Sequence, residues 1–434
     1  MDVVMANKTR QFFLRALFVA VCILPTMVVL AWALVGETPR DRVVQLKYWR
    51  TILERKLGVA VEIESVERFD STIVLSGVRL SDKETNLPLA SAEQVTIYPG
   101  EKLTQIVASH SQFFTKQLDL IHRAVVSLQR TRLEKPVVLD AARCTLTGQD
   151  ARTLTDIRAQ IQQTNERAHW DVAFRVAGSA MPSKCQFTLL RDRSADRPLV
   201  SWKLNTGTTR LPLSVAWSVC PVLRFLGESC EFRGSLVSKG DSSDGKQIQL
   251  SGTLSNIELD EIFRSFYHRL TGKGVLFLSF AEIRNSVLVS ASGRLQSNGG
   301  TISSRLMESA RDAFHLTFDP KFSEKLSYRY GKLAFAFRIQ GGKLAVRGYG
   351  RQHAGATSPA VVEWAGGPLT MLGGGSKGLI PALAVSQLMV PGSAHKISAT
   401  RDVYRFLKYL PVPAIQRPPG WDKRKPQTSI RVAK

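Results

Sequence analysis

The chain has 434 residues, 59 Lys+Arg against 36 Asp+Glu for a formal net charge of +23, and 44% hydrophobic residues. That apolar content excludes a wholly disordered chain, and a mean hydropathy of −0.06 with one long apolar run excludes a multi-span transporter. Five cysteines are too few for a disulfide-dense small scaffold.

Residues 16–35 (ALFVAVCILPTMVVLAWALV) carry no charge. At 1.5 Å per residue they make about 30 Å of helix, enough to cross a bilayer core. Lys8, Arg10 and Arg15 precede them as a basic n-region, so residues 1–15 are assigned to the cytoplasm and 16–35 to a transmembrane anchor. Ala31-Trp32-Ala33 also resembles a cleavage site, and Arg40, Arg42, Lys47 and Arg50 outnumber the basic residues in front. A cleaved signal and a cytoplasmic body therefore stay open beside the preferred retained anchor, with its body outside the cytoplasm. Residues 36–57 form the next unit. Val44, Leu46, Tyr48, Ile52, Leu53 and Leu57 fall at helical spacing and predict a juxtamembrane helix that stops at Gly58.

From residue 58 to 350 the period becomes two. Val59, Val61 and Ile63 alternate with polar or small neighbours; Ile73 and Leu75 share one face, and Val74, Val78 and Leu80 the other. The pattern recurs in Trp170, Val172, Phe174 and Val176, in Val200, Trp202 and Leu204, in Ile248, Leu250 and Leu254, and in Leu333, Phe335, Phe337 and Ile339. Short alternating runs separated by Gly, Asn, Asp and Ser predict half-exposed antiparallel sheet. The fold class is thus mainly β with interspersed helices, an N-terminal transmembrane helix leading into an elongated, curved antiparallel sheet. A helical insertion is expected over 102–131, where Leu103, Val107, Phe114, Leu118, Ile121, Val125 and Leu128 mostly step by four and three. Leu259, Ile262, Phe263, Phe266 and Leu270 predict a second helix, and residues 303–314 and 401–410 two short ones. Gly77, Gly234, Gly252 and Gly293 recur beside strand residues without a fixed period, as bends in a curved sheet require. Residues 351–416 form a Gly-rich C-terminal part of strand and helix, and 417–434 a basic tail expected to be disordered.

Nothing in the sequence resembles an active site. The seven histidines show no i, i+4 pair and no His-Glu-x-x-His, and there is no Cys-x-x-Cys. Gly373-Gly374-Gly375-Ser376-Lys377 lacks the ending of a phosphate loop. No catalytic residue, metal ligand or cofactor is assigned, and the chain is read as non-enzymatic. Cys22 lies in the apolar run; Cys144, Cys185, Cys220 and Cys230 allow three pairings. Cys220 and Cys230 bracket a turn-like Gly227-Glu228-Ser229 and are the favoured disulfide, the alternative being four buried free thiols. The basic residues are dispersed except in the tail, with no aromatic-interleaved motif, so nucleic acid is not an expected partner.

The block Arg55–Asp82 (RKLGVAVEIESVERFDSTIVLSGVRLSD) resembles the N-terminal signature of AsmA-like proteins: a membrane helix, a short helix, a Gly-led Val-x-Ile strand and a strand ending Gly-Val-x-Leu-x-Asp. Gly58, Val61, Ile63, Ile73, Leu75, Gly77, Val78, Leu80 and Asp82 fit that order. A second block, Cys230–Ala310, is similar to the C-terminal AsmA-like region, with Gly299, Gly300 and Ile302 as its Gly-Gly-x-Ile step. The two blocks cover about a quarter of the chain; the helical stretch, the high charge and the Gly-rich, basic C-terminus depart from the family. The resemblance implies a taco-like β-groove with an apolar interior, anchored in the inner membrane and reaching into the periplasm, that assists phospholipid transport or outer-membrane homeostasis. It implies membrane lipid as cargo and an envelope protein as partner, because roughly fifteen strands at about 4.8 Å span only about 70 Å. The alternative is an extracytoplasmic scaffold that binds anionic surface polymer or protein partners without moving lipid. Which residues line a groove is not assigned.

Overall fold

A computed structural model describes residues 42–114, 117, 120, 133–147, 151–178, 183–194, 198–216, 221–242, 245–264, 268–285, 287–318, 325–352, 359–366, 370–374, 379–382 and 385. The expected anchor 16–35, the helix 401–410 and the tail 417–434 lie outside these residues. Among the described residues no helix is long and apolar enough to cross a membrane.

The chain opens on α1 (Arg42–Leu57). Trp49, Leu53 and Leu57, four residues apart, stack on one face and are almost wholly buried, while Val44 stays exposed. Gly58 ends the helix at φ 70°, its N–H donating to the Glu54 carbonyl at 3.0 Å. Ten strands follow: β1 (Ala60–Glu62), β2 (Ser65–Phe69), β3 (Thr72–Ser81), β4 (Pro88–Pro99), β5 (Thr104–Phe114), β6 (Val137–Thr147), β7 (Arg152–Gln163), β8 (Arg167–Val176), β9 (Cys185–Asp192) and β10 (Leu199–Asn205). The C-terminal half holds β11 (Leu211–Pro212), β12 (Glu231–Ser242), β13 (Gly245–Glu258), α2 (Leu259–Phe263), β14 (Lys273–Arg284), β15 (Val287–Ser297), β16 (Gly300–Ser303) and α3 (Ser304–Phe314). It ends with β17 (Leu316–Phe318), β18 (Ser327–Gln340), β19 (Lys343–Gly348), β20 (Ala360–Trp364), β21 (Thr370–Gly374) and β22 (Ile380–Pro381).

All twenty-two strands belong to one curved sheet. Its spine runs β3–β4–β5–β6–β7–β8–β9–β10–β12–β13–β14–β15–β18–β19, with β1 and β2 side by side against the free edge of β3. Thirteen steps of about 4.8 Å make this spine roughly 62 Å wide. Among the described residues no strand joins the two edges, so the sheet is open.

Three sequence expectations need correction. The stretch expected to begin a helix at 102 is strand β5, burying Ile106, Ala108, Ser111 and Phe113 while Leu103 and Val107 face outward. The remainder of that expected helix lies almost entirely outside the described residues; of it, Leu120 packs against the core. Second, β5 and β6 pair in parallel, the one exception in an otherwise antiparallel spine, and parallel neighbours require a crossover connection between them. Third, the helix expected to reach Leu270 ends at Phe263; Leu270 instead forms an isolated antiparallel bridge to Ile302. The helix expected at 303–314 is present as α3, where the Ser303 side chain caps by accepting from the Leu306 N–H.

A crease crosses the N-terminal half and explains two of the misread patterns. Between the pairs Ser76↔Gln94 and Val78↔Ala92 sits Gly77 at φ 62°; between Gln94↔Ser109 and Ala92↔Ser111 sits His110 at φ 44°. Ala142 and Arg143 continue the line on β6, and Asp156 at φ 51° on β7. At each step the strand slips by one residue, so the same face stays buried on both sides. Ile73 and Leu75 are therefore buried with Val78 and Leu80, not opposite them. A register shift between β7 and β8 absorbs the slip, and β8 alternates without interruption: Ala168, Trp170, Val172, Phe174 and Val176 are all buried.

Candidate functional site: an apolar wall

Directly paired residues in adjacent strands point to the same face. Following the pairs from β3 to β19 traces one row: Ile73, Ile97, Ile106, Leu139, Ala159, Val172, Phe187, Leu204, Leu236, Leu250, Ala281, Ala291, Ile339 and Leu344. Every member is apolar. The row passes from one hydrophobic cluster, α1 with β1–β10, into a second built from β12 onward, and Leu250 packs against both.

The row stays buried at Ala281, Ala291, Ile339 and Leu344, but the face around it differs in cover between the two halves. In the N-terminal half the face is sealed: Ile106, Leu139, Ala159, Ile161, Trp170, Phe187 and Leu189 are 0–1% exposed. In the C-terminal half the same face is half-exposed at Ile248, Leu250, Leu276, Leu278, Ile283, Leu288, Leu295, Phe335 and Phe337. Leu254, Leu276, Leu295 and Phe335 form a second paired row beside the first. Half-covered Leu and Phe leave apolar area in water, at about 25 cal/mol per Å². The junction between the sealed and open parts carries the pair Trp202↔Ser238. Trp202 Nε1 and Ser238 Oγ are both buried there with no hydrogen-bond partner among the described residues.

Glycines shape this wall. Gly234 pairs with Gly252, Gly252 with Leu278, Leu278 with Gly293, and Gly293 with Phe337, so three of the glycines that recur in the sequence lie in one line across the sheet. A Cβ at Gly234 would lie 2.6 Å from the Gly252 Cα, and one at Gly293 would strike the Phe277 carbonyl. The strands approach too closely for a side chain at these glycines, and the Leu278 and Phe337 side chains lie against Gly293. The Gly299-Gly300 step serves a different end: a Cβ at Gly300 would meet the Tyr330 hydroxyl at 2.6 Å. That hydroxyl donates to the Thr271 carbonyl at 2.6 Å and lies 3.0 Å from Ser297 Oγ.

Three of the five cysteines lie among the described residues. Cys144, Cys185 and Cys230 are free and buried, and Cys220, the expected partner of Cys230, lies outside the described residues. Burial pushes the Cys144 and Cys230 thiols up to about 12 and the Cys185 thiol to about 11, which removes the thiolate and its nucleophilicity. His268 is 3% exposed, both ring nitrogens lacking a partner among the described residues; burial, then the neighbouring Arg305 charge, lower its pKa. Among the described residues no group of three or more His, Cys, Asp or Glu could hold a metal ion.

Leu276 and Leu278, central to the wall, are hidden in the sequence because Val275 and Phe277 between them are also apolar. The four read as one greasy run with no period. No family model, curated protein or solved structure matches this chain.

Proposed function

We propose that this chain is an AsmA-like, membrane-anchored envelope protein that shelters phospholipid acyl chains against the open apolar wall of β13–β15 and β18. The half-covered Leu and Phe beside the apolar row support the reading: past Leu250 the row itself stays buried at Ala281, Ala291, Ile339 and Leu344, while Leu276, Leu278, Leu295, Phe335 and Phe337 on the same face are only half-covered. Acyl chains laid on Leu276, Leu278, Leu295, Phe335 and Phe337 would remove that surface from water, while headgroups stay at its polar margin. Movement along such a wall is passive sliding, driven by no chemistry. The anchor at 16–35 and an extracytoplasmic body belong to the same proposal. So does a protein partner, since a sheet of roughly 62 Å extends the wall only locally.

Neighbouring residues on opposite faces provide the test. With p-benzoylphenylalanine at position 337 in the full chain, irradiation in cells should give phospholipid adducts by mass spectrometry. The same photoreactive group at position 336, one residue away on the other face, should give none. Equal labelling, or none at either position, removes the lipid role and leaves the scaffold reading. A reporter active only outside the cytoplasm, fused after Lys434, tests the topology separately.

A further inference from the structure

The opposite face of the same strands carries a feature that the lipid wall does not use. Thr253 on β13 pairs with Phe277 on β14, Phe277 with Arg294 on β15, and Arg294 with Ala336 on β18. These residues, with Ser279 and Ser292, line a depression of about 610 Å³ together with Gly252, Leu278, Gly293 and Phe337. Two members of the glycine line, Gly252 and Gly293, thus contribute to this hollow.

Arg294 is fixed in this hollow. Its guanidinium lies 4.6 Å from the Phe277 ring centroid and 5.2 Å from that of Tyr349, and Nη1 donates to the Tyr349 hydroxyl at 2.8 Å. A guanidinium has five N–H donors, and the hydrogen bond to Tyr349 uses one of them. The hydroxyls of Thr253, Ser279 and Ser292 add neutral donors around the same space. Arg338 pairs with Ser292 and Arg347 with Ala336, so two more cations flank the hollow from β18 and β19. Neither row of paired residues contains Asp or Glu. A pinned, stacked Arg beside three hydroxyls presents donors from several directions, as the oxygens of a tetrahedral anion require. The volume far exceeds the roughly 30 Å³ of one water, leaving room for the group that carries the anion.

We propose that this outer-face pocket binds the phosphoryl group of a small phosphate ester, with Arg294 as the principal ligand and Thr253, Ser279 and Ser292 as hydroxyl donors. Thr253, Arg294 and Ser292 lie on the face opposite the wall, and phosphate binding there does not depend on acyl-chain binding, so either site stands if the other fails.

Titration calorimetry on the detergent-solubilised full chain tests it with three probes: inorganic phosphate, glycerol 3-phosphate and dihexanoyl phosphatidylglycerol. Glycerol 3-phosphate should bind, and Arg294→Gln should weaken it about tenfold or more. Ser292→Asp, which leaves Arg294 in place and sets a negative charge in the hollow, should weaken it as much; near-UV circular dichroism checks that both variants fold. Arg79→Gln, at an exposed ion pair with Glu64 on β3, should bind as the parent does. Tighter binding of the short-chain lipid would assign the group to a lipid headgroup, and tighter binding of glycerol 3-phosphate to a soluble ester. No binding of any probe at millimolar concentration, unchanged binding in both pocket variants, or an equal loss in Arg79→Gln would overturn the site.

Discussion

Trp170 on β8 and Phe337 on β18 point to the same face of one continuous sheet, yet the first is sealed from solvent and the second is half-exposed. Around Trp170, α1, Leu120 and the curved strands contribute to a single cluster reaching from Trp49 to Leu236. Around Phe337 the second cluster concentrates toward α3, Tyr328, Tyr330 and β20, and the meander β13–β14–β15–β18 stays only partly covered. The same alternation of side chains thus builds a core in one half and a surface in the other. Strand pattern alone does not decide between them; cover does. Ion pairs occur on the outer face in both halves, as in Arg158–Asp140, Arg167–Asp192 and Arg175–Asp156 in the first and Arg284–Glu282 in the second.

The sharpest way to break this comparison is to truncate its two aromatic residues. Trp170→Ala should cost about 4 kcal/mol in urea unfolding, and Phe337→Ala about 1 kcal/mol, because only the first leaves a closed cavity. Equal losses would mean that the wall is as much a core as the sealed half. Next in size, Gly293→Val should cost about 2 kcal/mol, since its side chain must push β15 away from β14. At Gly178, where nothing lies within 4 Å, replacement by Ala meets only the penalty of φ 77°, about 1 kcal/mol.

A pH scan sharpens the comparison further. With its folded-state pKa lowered, His268 binds a proton more readily in the unfolded chain, so stability should fall as pH drops through the ordinary histidine range. His268→Phe should flatten the melting temperature between pH 7 and pH 5 relative to the parent; an unchanged slope would place the dependence elsewhere. The smallest effect is expected from Arg158→Gln, which loses an exposed ion pair with Asp140 and should change stability by no more than about 0.5 kcal/mol.

Much of the sheet was legible in the residues. The alternation of Trp170, Val172, Phe174 and Val176, of Trp202 and Leu204, and of Leu333, Phe335, Phe337 and Ile339 assigns faces that the register bears out. The misread strand faces share one cause. At Gly77 and His110 the strand slips by one residue, and a slip in the middle of a period-two pattern imitates a longer period. That is why β5 reads as helix, with Leu103, Val107 and Phe114 at steps of four and seven, and why Val78 seems to leave the face of Leu75. Trp49, the largest buried side chain of α1, escapes the apolar spacing because Tyr48 stands beside it. The glycines were visible, but not their alignment. That Gly234, Gly252 and Gly293 share one line is a property of strand pairing, which no single segment encodes. Nor could the sequence tell which apolar rows remain uncovered, for cover comes from residues far away in the chain.

The meander from β12 to β15 has a consequence for how such a molecule can change in length. Each of these strands bonds only to its immediate neighbours, so the array is one-dimensional, like a stack of repeats. Inserting one further hairpin adds two strands, about 9.6 Å, and disturbs only the two strands it separates. The reach of the apolar surface is then a matter of counting hairpins, and a longer or shorter sheet requires no redesign of the fold.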